Sequence, residues 1–339
     1  MGCLSMTNQT NRALGTLLGL AAGDAMGMPT QMLSRHHIAV LYPHLDRFEG
    51  GPPENPISAG QPAGRVTDDT EQALLIAHLL IAQGGHFDGQ AFVRGLRDWA
   101  ANSEADGMEQ LGPSTRHALD LVGQGVPLEQ AGRYGTTNGA AMRIAPVGVM
   151  TPIEPLESLI DRVVEVSQAT HNTGIALAGA SAVAAFISAA INGHDQHQAL
   201  DYAVRAAKSG AQRGYYAPGP SIAARIDWAV TFSRMEQDGI FLDQLEQLVG
   251  LSVATEQAVP AAMALVMRWP EDPWRVICEA GRLGGDSDTI GAMAGAMAGA
   301  LTGTQNFPRG VLETMERVNR LALQDITIEL LRLRHGKGD

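Results

Sequence analysis

Two short acidic clusters, Thr67-Asp68-Asp69-Thr70 and Asp286-Ser287-Asp288-Thr289, hold the residues best suited to chemistry in this chain. Each crowds carboxylates and hydroxyls into one turn, and each opens a long apolar segment, so together they could offer six oxygen ligands to a pair of divalent cations. Carboxylate, hydroxyl and water oxygens suit octahedral Mg²⁺ or Mn²⁺, whereas Zn²⁺ would want histidine or cysteine. An adjacent Asp-Asp pair also carries a like-charge repulsion that a cation relieves. Helix capping is the competing reading. Asp68 with Glu71 has capping-box spacing, and acidic residues such as Asp288 are favoured in a first helical turn by the helix dipole. Three carboxylates would suffice for capping, yet four stand here beside three threonines and a serine.

The elements that must present these clusters read as helices. Long Ala/Leu/Met-rich runs dominate and alternating Val/Ile/Thr/aromatic segments are scarce, which predicts an all-α chain. Helices are expected over about 11–22, 70–83, 92–102, 115–122, 155–170, 174–192, 198–209, 222–237, 241–248, 259–268, 273–283, 289–302 and 309–333. Glycines recur every four residues at Gly15, Gly19, Gly23 and Gly27, and again at Gly291, Gly295, Gly299 and Gly303. Each set lays a smooth stripe along one helix face. Glycine costs about 1 kcal/mol at an interior helix position, so the two stripes predict a tightly packed central helix pair. Between elements, 42–66 is a long Gly/Pro-rich loop leading straight into the first cluster, and 132–152 and 208–221 are further loops. No composition shift marks a linker, so one domain over 1–339 is expected, with an ordered core from about 9 to 334.

Composition narrows the partners. A formal net charge of -12 argues against nucleic acid and anionic membrane, which need a basic footprint. Only Cys3 and Cys278 occur, so a disulfide scaffold is not expected and a reducing cytoplasm fits. Residues 173–191 lack charge, but their Ala, Ser and Gly content points to a buried helix rather than a membrane span.

Five motifs in order give a further signal: Gly-Leu-Ala-Ala-Gly-Asp-Ala-Met-Gly (19–27), Thr-Asp-Asp-Thr (67–70), Asn-Gly-Ala-Ala-Met-Arg (138–143), Thr-His-Asn (170–172) and Gly-Gly-Asp-Ser-Asp-Thr-Ile-Gly (284–291). With these the chain resembles the ADP-ribosylglycohydrolases along almost its whole length. The resemblance implies an orthogonal all-α bundle with two Mg²⁺ or Mn²⁺ in a cleft. The implied ligands are Thr67, Asp68, Asp69, Asp286, Asp288 and Thr289, with Asp288 bridging the ions. It implies that Asn138, Gly139, Ala140, Ala141 and Met142 wrap the ribose and phosphate of the ligand and that His171 lines the pocket. Asp24 either steadies a ligand from behind or caps a helix end. The expected reaction is hydrolysis at C1 of a ribose, with Asp68 or Asp69 accepting a proton from water.

Two departures bear on the substrate, a small ribosyl or ADP-ribosyl group that can be protein-linked. Gln31 stands where many members carry a glutamate, and Gln110-Leu111-Gly112 stands where members cleaving ADP-ribosylarginine carry Asp-Ile-Gly. Glutamine can neither act as a general base nor balance positive charge as a carboxylate does. Free nucleosides and other small N-ribosides are therefore rivals to ADP-ribosyl-protein. Tyr215 and Tyr216 could stack on a base or simply pack. A non-catalytic relative, as the J-crystallins are to this family, would show degraded clusters; all six ligand positions here hold oxygen-bearing residues of the family type.

Overall fold

A computed structural model describes residues 7–105 and 111–336. No extended strand forms among these residues, and the helices bury an apolar cluster whose members run from Ala13 to Leu331. The centre is an antiparallel pair, Asn8–Gly27 and Ser287–Thr302, joined along the two glycine stripes. Gly15 lies against Gly299 and Gly303, Gly19 against Gly295, Gly23 against Gly291, and Gly27 against Ser287 and Asp288. A Cβ at Gly19 would stand 2.0 Å from the Gly295 carbonyl oxygen, so no side chain larger than hydrogen fits the seam. The antiparallel order brings the end of one helix, with Asp24, beside the start of the other, with Asp286 and Asp288.

Helix Gly174–Ile191 has a mean hydropathy of 2.0 with 94% of its length buried, as expected of a core helix. Helix Asp68–Ala82 starts two residues before its expected position and docks that start onto Asp24. Three isolated bridges pin loops around this region: Ser34 with Gly284, Thr137 with Ala254, and Thr173 with Tyr215.

Several expected boundaries are corrected. The single helix over 309–333 is two, Val311–Asn319 and Leu323–Arg334, broken at Arg320, which sits in the left-handed region at φ 56°. The break is held by Asn319, whose side chain donates to the Gly64 carbonyl and accepts from the Val66 amide. The helix expected from Val259 begins at Thr255 and runs through Pro260. Its first turn is anchored from outside, since the Thr255 hydroxyl donates to the Thr136 carbonyl at 2.8 Å. The helix expected to reach residue 237 ends at Phe232. The supposed loop 132–152 contains the short helices Gly139–Met142 and Ala145–Met150, both buried. Segments this short are stabilised by tertiary packing rather than by their own propensity.

Candidate functional site

The site forms where three helix ends meet. Asp24, fully buried near the end of the first helix, accepts from the Thr67 amide at 3.0 Å, the Thr67 hydroxyl at 2.9 Å, the Thr70 amide at 3.1 Å and the Thr70 hydroxyl at 2.6 Å. It caps no end of its own helix; it shapes the turn that carries the first acidic cluster. Within that turn Thr67, not Asp68, is the N-cap. The Glu71 carboxylate is drawn instead to Arg65 at 2.7 Å and to the Trp99 indole at 2.6 Å, so no capping box forms. Asp286 occupies the N-cap position of Ser287–Thr302 without making a capping bond, and accepts from the Asn138 amide nitrogen at 2.5 Å. Capping therefore accounts for neither Asp68 nor Asp286.

The two clusters are joined through Asp69. Its Oδ2 lies 3.1 Å from the Thr67 hydroxyl and 3.3 Å from the Thr289 hydroxyl, and its Oδ1 is buried without any partner. A buried unpaired carboxylate oxygen costs a few kcal/mol unless something cationic completes it. The surrounding field makes the same demand. Burial raises the pKa of Asp68 well above the ordinary value, reinforced by Asp24 and Asp286. Asp69 and Asp288 are raised by burial and then by neighbouring aspartates. Burial lifts Asp24 and Asp286 to about 6 against the pull of their hydrogen bonds. Among the described residues no three acidic, histidine or cysteine side chains are already drawn into a cage of their own; threonine hydroxyls stand between the carboxylates. The donor set is nonetheless all hard oxygen, which fits Mg²⁺ or Mn²⁺.

A cavity opens over these groups. Its floor is Thr67, Asp68, Asp286, Asp288 and Thr289; one wall is Thr137, Asn138, Gly139 and Met142; its mouth includes Gln31, Met32, Ile57, Leu111 and Val253. Five of the six expected ligands thus face one space, and Asp69 closes the floor from behind. Ala140 and Ala141 do not line it, because they form the core-facing side of a four-residue helix and are 1% exposed. His171 does not line it either. It is fully buried behind the wall, its ring so close to Gly139 that a Cβ there would meet it at 2.7 Å. Tyr215 and Tyr216 lie outside the cavity lining, and Tyr216 is 90% exposed. Gln110 lies outside the described residues.

Behind the wall runs a buried hydrogen-bonded chain. The Thr137 hydroxyl meets His171 Nε2 at 3.0 Å, and His171 Nδ1 meets the Thr170 hydroxyl at 2.8 Å. That hydroxyl accepts from Arg143, which also donates to Gln72 Oε1 at 2.7 Å, and Gln72 Nε2 approaches Asp68 Oδ2 at 3.4 Å. Burial and then Arg143 hold the His171 pKa well below its usual value, so the ring is neutral. The neutral ring is thus held at both nitrogens by threonine hydroxyls, donating through one and accepting through the other. Arg143 is fully buried with its carbon CZ 5.0 Å from the Phe92 ring centroid, and its charge favours ionised Asp68. Arg143→Met should cost about 3–5 kcal/mol in urea unfolding, since it strips the countercharge from Asp68 and leaves Gln72 and Thr170 short of a partner. A loss under 1 kcal/mol would show the chain to be incidental.

Reading by motif missed Met32, Ile57, Val253 and the Gln72–Arg143 link. The Asp68–Gln72 spacing of four residues was available as a signal for the link. Nothing in the sequence marked Met32, which adopts φ 61° because its amide is held by the Gly285 carbonyl at 2.6 Å.

Comparison with known proteins bears on the chain as a whole. A family model described as ADP-ribosylglycohydrolase matches residues 5–339. The uncharacterized protein YegU of Escherichia coli (strain K12) is 36% identical, over 97% of this chain and 99% of its own length. The ADP-ribosylarginine hydrolase Tri1 of Pseudomonas putida (strain GB-1) is 29% identical, over 88% of this chain and 72% of its own. A solved structure of an ADP-ribosylglycohydrolase-related protein complex superposes with a TM-score of 0.72 at 26% identity, covering 97% of this chain and all of that one.

Proposed function

Because the chain belongs to the ADP-ribosylglycohydrolase family and is a glycosidase-type hydrolase, we propose that it cleaves the C1 bond of a ribose in an ADP-ribosylated or related substrate, at a two-cation centre held by Thr67, Asp68, Asp69, Asp286, Asp288 and Thr289. The observation that supports this most is the unpartnered Asp69 Oδ1, in a group with the buried Asp24, Asp286 and Asp288 and the partly exposed Asp68. Two Mg²⁺ or Mn²⁺ there would supply Lewis-acid charge to the ribose hydroxyls and make a bound water more acidic.

The chain's own groups have distinct tasks. Asp68 faces the cavity, whereas Asp69 does not, so Asp68 is the residue placed to accept the proton of the attacking water. The carboxylate floor favours the positive charge that grows at C1 as the bond breaks. Asn138, tied to Asp286, sets the wall at a fixed distance from that floor, and Asp24 keeps the 67–70 turn from opening.

A hydrolysis screen over ADP-ribosylarginine, ADP-ribosylserine, O-acetyl-ADP-ribose, ADP-ribose and free nucleosides tests the proposal. Release of ribose or ADP-ribose should require Mg²⁺ or Mn²⁺ and should fall about 10²–10⁴-fold in Asp68→Asn. Absence of cleavage across the panel, or full activity in the presence of chelator, would overturn it.

A further inference from the structure

We infer that Gln31 is a substrate-contacting residue for a neutral, planar nitrogen heterocycle seated as leaving group in the mouth of the cavity, which makes an N-riboside of a nucleobase-like ring the preferred substrate over a cationic arginine conjugate. The inference rests on the hydrolytic reading of the site above and specifies its leaving group.

The first ground is an unfinished hydrogen bond. Gln31 lines the cavity and is only 8% exposed, and its side-chain Nε2 is buried with no partner. Its backbone is fully committed, the amide donating to the Gly27 carbonyl at 3.0 Å and the carbonyl accepting from Asn55 at 2.8 Å. The residue is therefore fixed in place with one amide group to spare. An unsatisfied buried amide costs about 1–3 kcal/mol, a cost that persists where a ligand removes it.

The second ground is the shape and chemistry of the mouth. Met32 is 58% exposed, Ile57 38% and Val253 37%, three large apolar side chains at one opening. Met32 reaches it from a left-handed backbone conformation that a side chain of its kind rarely adopts, enforced by the bond to Gly285. Backbone strain of about 1–3 kcal/mol that puts an apolar side chain toward solvent has no return in the free protein. Apolar walls with one amide suit a flat ring that has apolar faces and a hydrogen-bonding edge. They suit a guanidinium badly, because among the described residues at the mouth, Gln31, Met32, Ile57, Leu111 and Val253, none carries a countercharge to replace the water it would lose.

The chemistry closes. Water oxygen bonds to C1, the C1–N bond breaks with its electron pair passing to the ring, and the water proton ends on the departing nitrogen. As the pair moves into the ring, the Gln31 N–H donates to a ring acceptor where negative charge collects. A free nucleoside and its 5′-phosphorylated form share this chemistry.

Steady-state kinetics with Mn²⁺ on a purine nucleoside, its 5′-monophosphate and ADP-ribosylarginine, for the wild type, Gln31→Leu and Gln31→Glu, decides the matter. The wild type should prefer one of the two heterocyclic substrates, and which one identifies the source. Gln31→Leu should lose about 10²–10³-fold in kcat on it, with Mn²⁺ affinity by calorimetry unchanged. Gln31→Glu, nearly isosteric, should shift the ratio of kcat/KM toward ADP-ribosylarginine. Metal-dependent cleavage that favours the arginine conjugate, or a ratio untouched by either substitution, overturns the assignment of Gln31 and leaves the site reading standing. Loss of Mn²⁺ binding in Gln31→Leu overturns it too, since Gln31 would then act through the ligands. No cleavage of any substrate overturns the site reading itself.

Discussion

Metal-stripped protein at pH 8 is expected to gain several degrees in Tm on addition of millimolar Mg²⁺ or Mn²⁺, and Asp288→Ala is expected to abolish the gain along with activity. The sign follows from the carboxylates. All five aspartates have pKa values raised above the ordinary 3.8, Asp24 and Asp286 to about 6. A raised carboxylate pKa stabilises the fold below the unfolded value and withdraws that stability as pH climbs through the folded value. Without cations the protein should therefore weaken from about pH 4 through 6 and beyond. Cations bind the ionised forms, so they restore most where the loss is greatest, at pH 8, and little at pH 5. Two ions each at about 100 times their Kd would contribute about 5 kcal/mol. Asp288→Asn carries an unusual signature: one buried charge fewer should raise the Tm of the stripped protein at pH 8 while removing its response to metal. This is the stability cost of a site built for an ion. Differential scanning calorimetry with and without chelator at the two pH values measures all of it. A Tm indifferent to both cations at pH 8, or an Asp288→Asn protein that still responds like the wild type, would sink the two-cation centre.

What could be read beforehand was what the chain writes locally. The paired clusters stand out because four aspartates sit at two helix starts, and the glycine stripes because their period of four repeats on both partners. The core helix Gly174–Ile191 is plain from its lack of charge. What could not be read depends on contacts made at long range. Asp24 looks like any helix-end aspartate until the Thr67–Thr70 turn is laid on it. His171 belongs to a recognisable motif, yet whether it faces the ligand or hides behind Gly139 is decided by where Thr170 and Arg143 pack. Met32 takes a conformation that local preference disfavours, and only the Gly285 carbonyl explains it. Sequence reasoning fails here where tertiary structure overrides local propensity, and those places border the cavity.

The glycine seam makes the sharpest structural prediction because it ties stability to the site. Gly19→Ala, Gly23→Ala or Gly295→Ala should destabilise the protein by about 5 kcal/mol or more, a loss reserved for severe backbone conflict. Cβ atoms at these positions would lie 2.0, 1.9 and 2.1 Å from the carbonyl oxygens of Gly295, Gly291 and Gly19, and no side chain is there to swing aside. The helices must separate, and close packing along the seam goes with them. Gly239→Ala is the internal control. That glycine starts no seam, sits in helix Asp238–Gln244 with nothing within 4 Å of its missing Cβ, and should gain about 0.5–1 kcal/mol on substitution. The two ends of the seam should behave differently toward metal. Gly27 abuts Ser287 and Asp288 beside the site, whereas Gly15 abuts Gly299 and Gly303 at the far end. Gly27→Ala pries Asp24 from Asp288 directly and should weaken Mn²⁺ affinity by an order of magnitude or more, as disturbed ligand supports do. Gly15→Ala should lose comparable stability while the folded fraction binds Mn²⁺ normally. Urea unfolding paired with Mn²⁺ titration separates the two, and equal losses of affinity at both ends would mean that the seam holds the fold without setting the geometry of the acidic site.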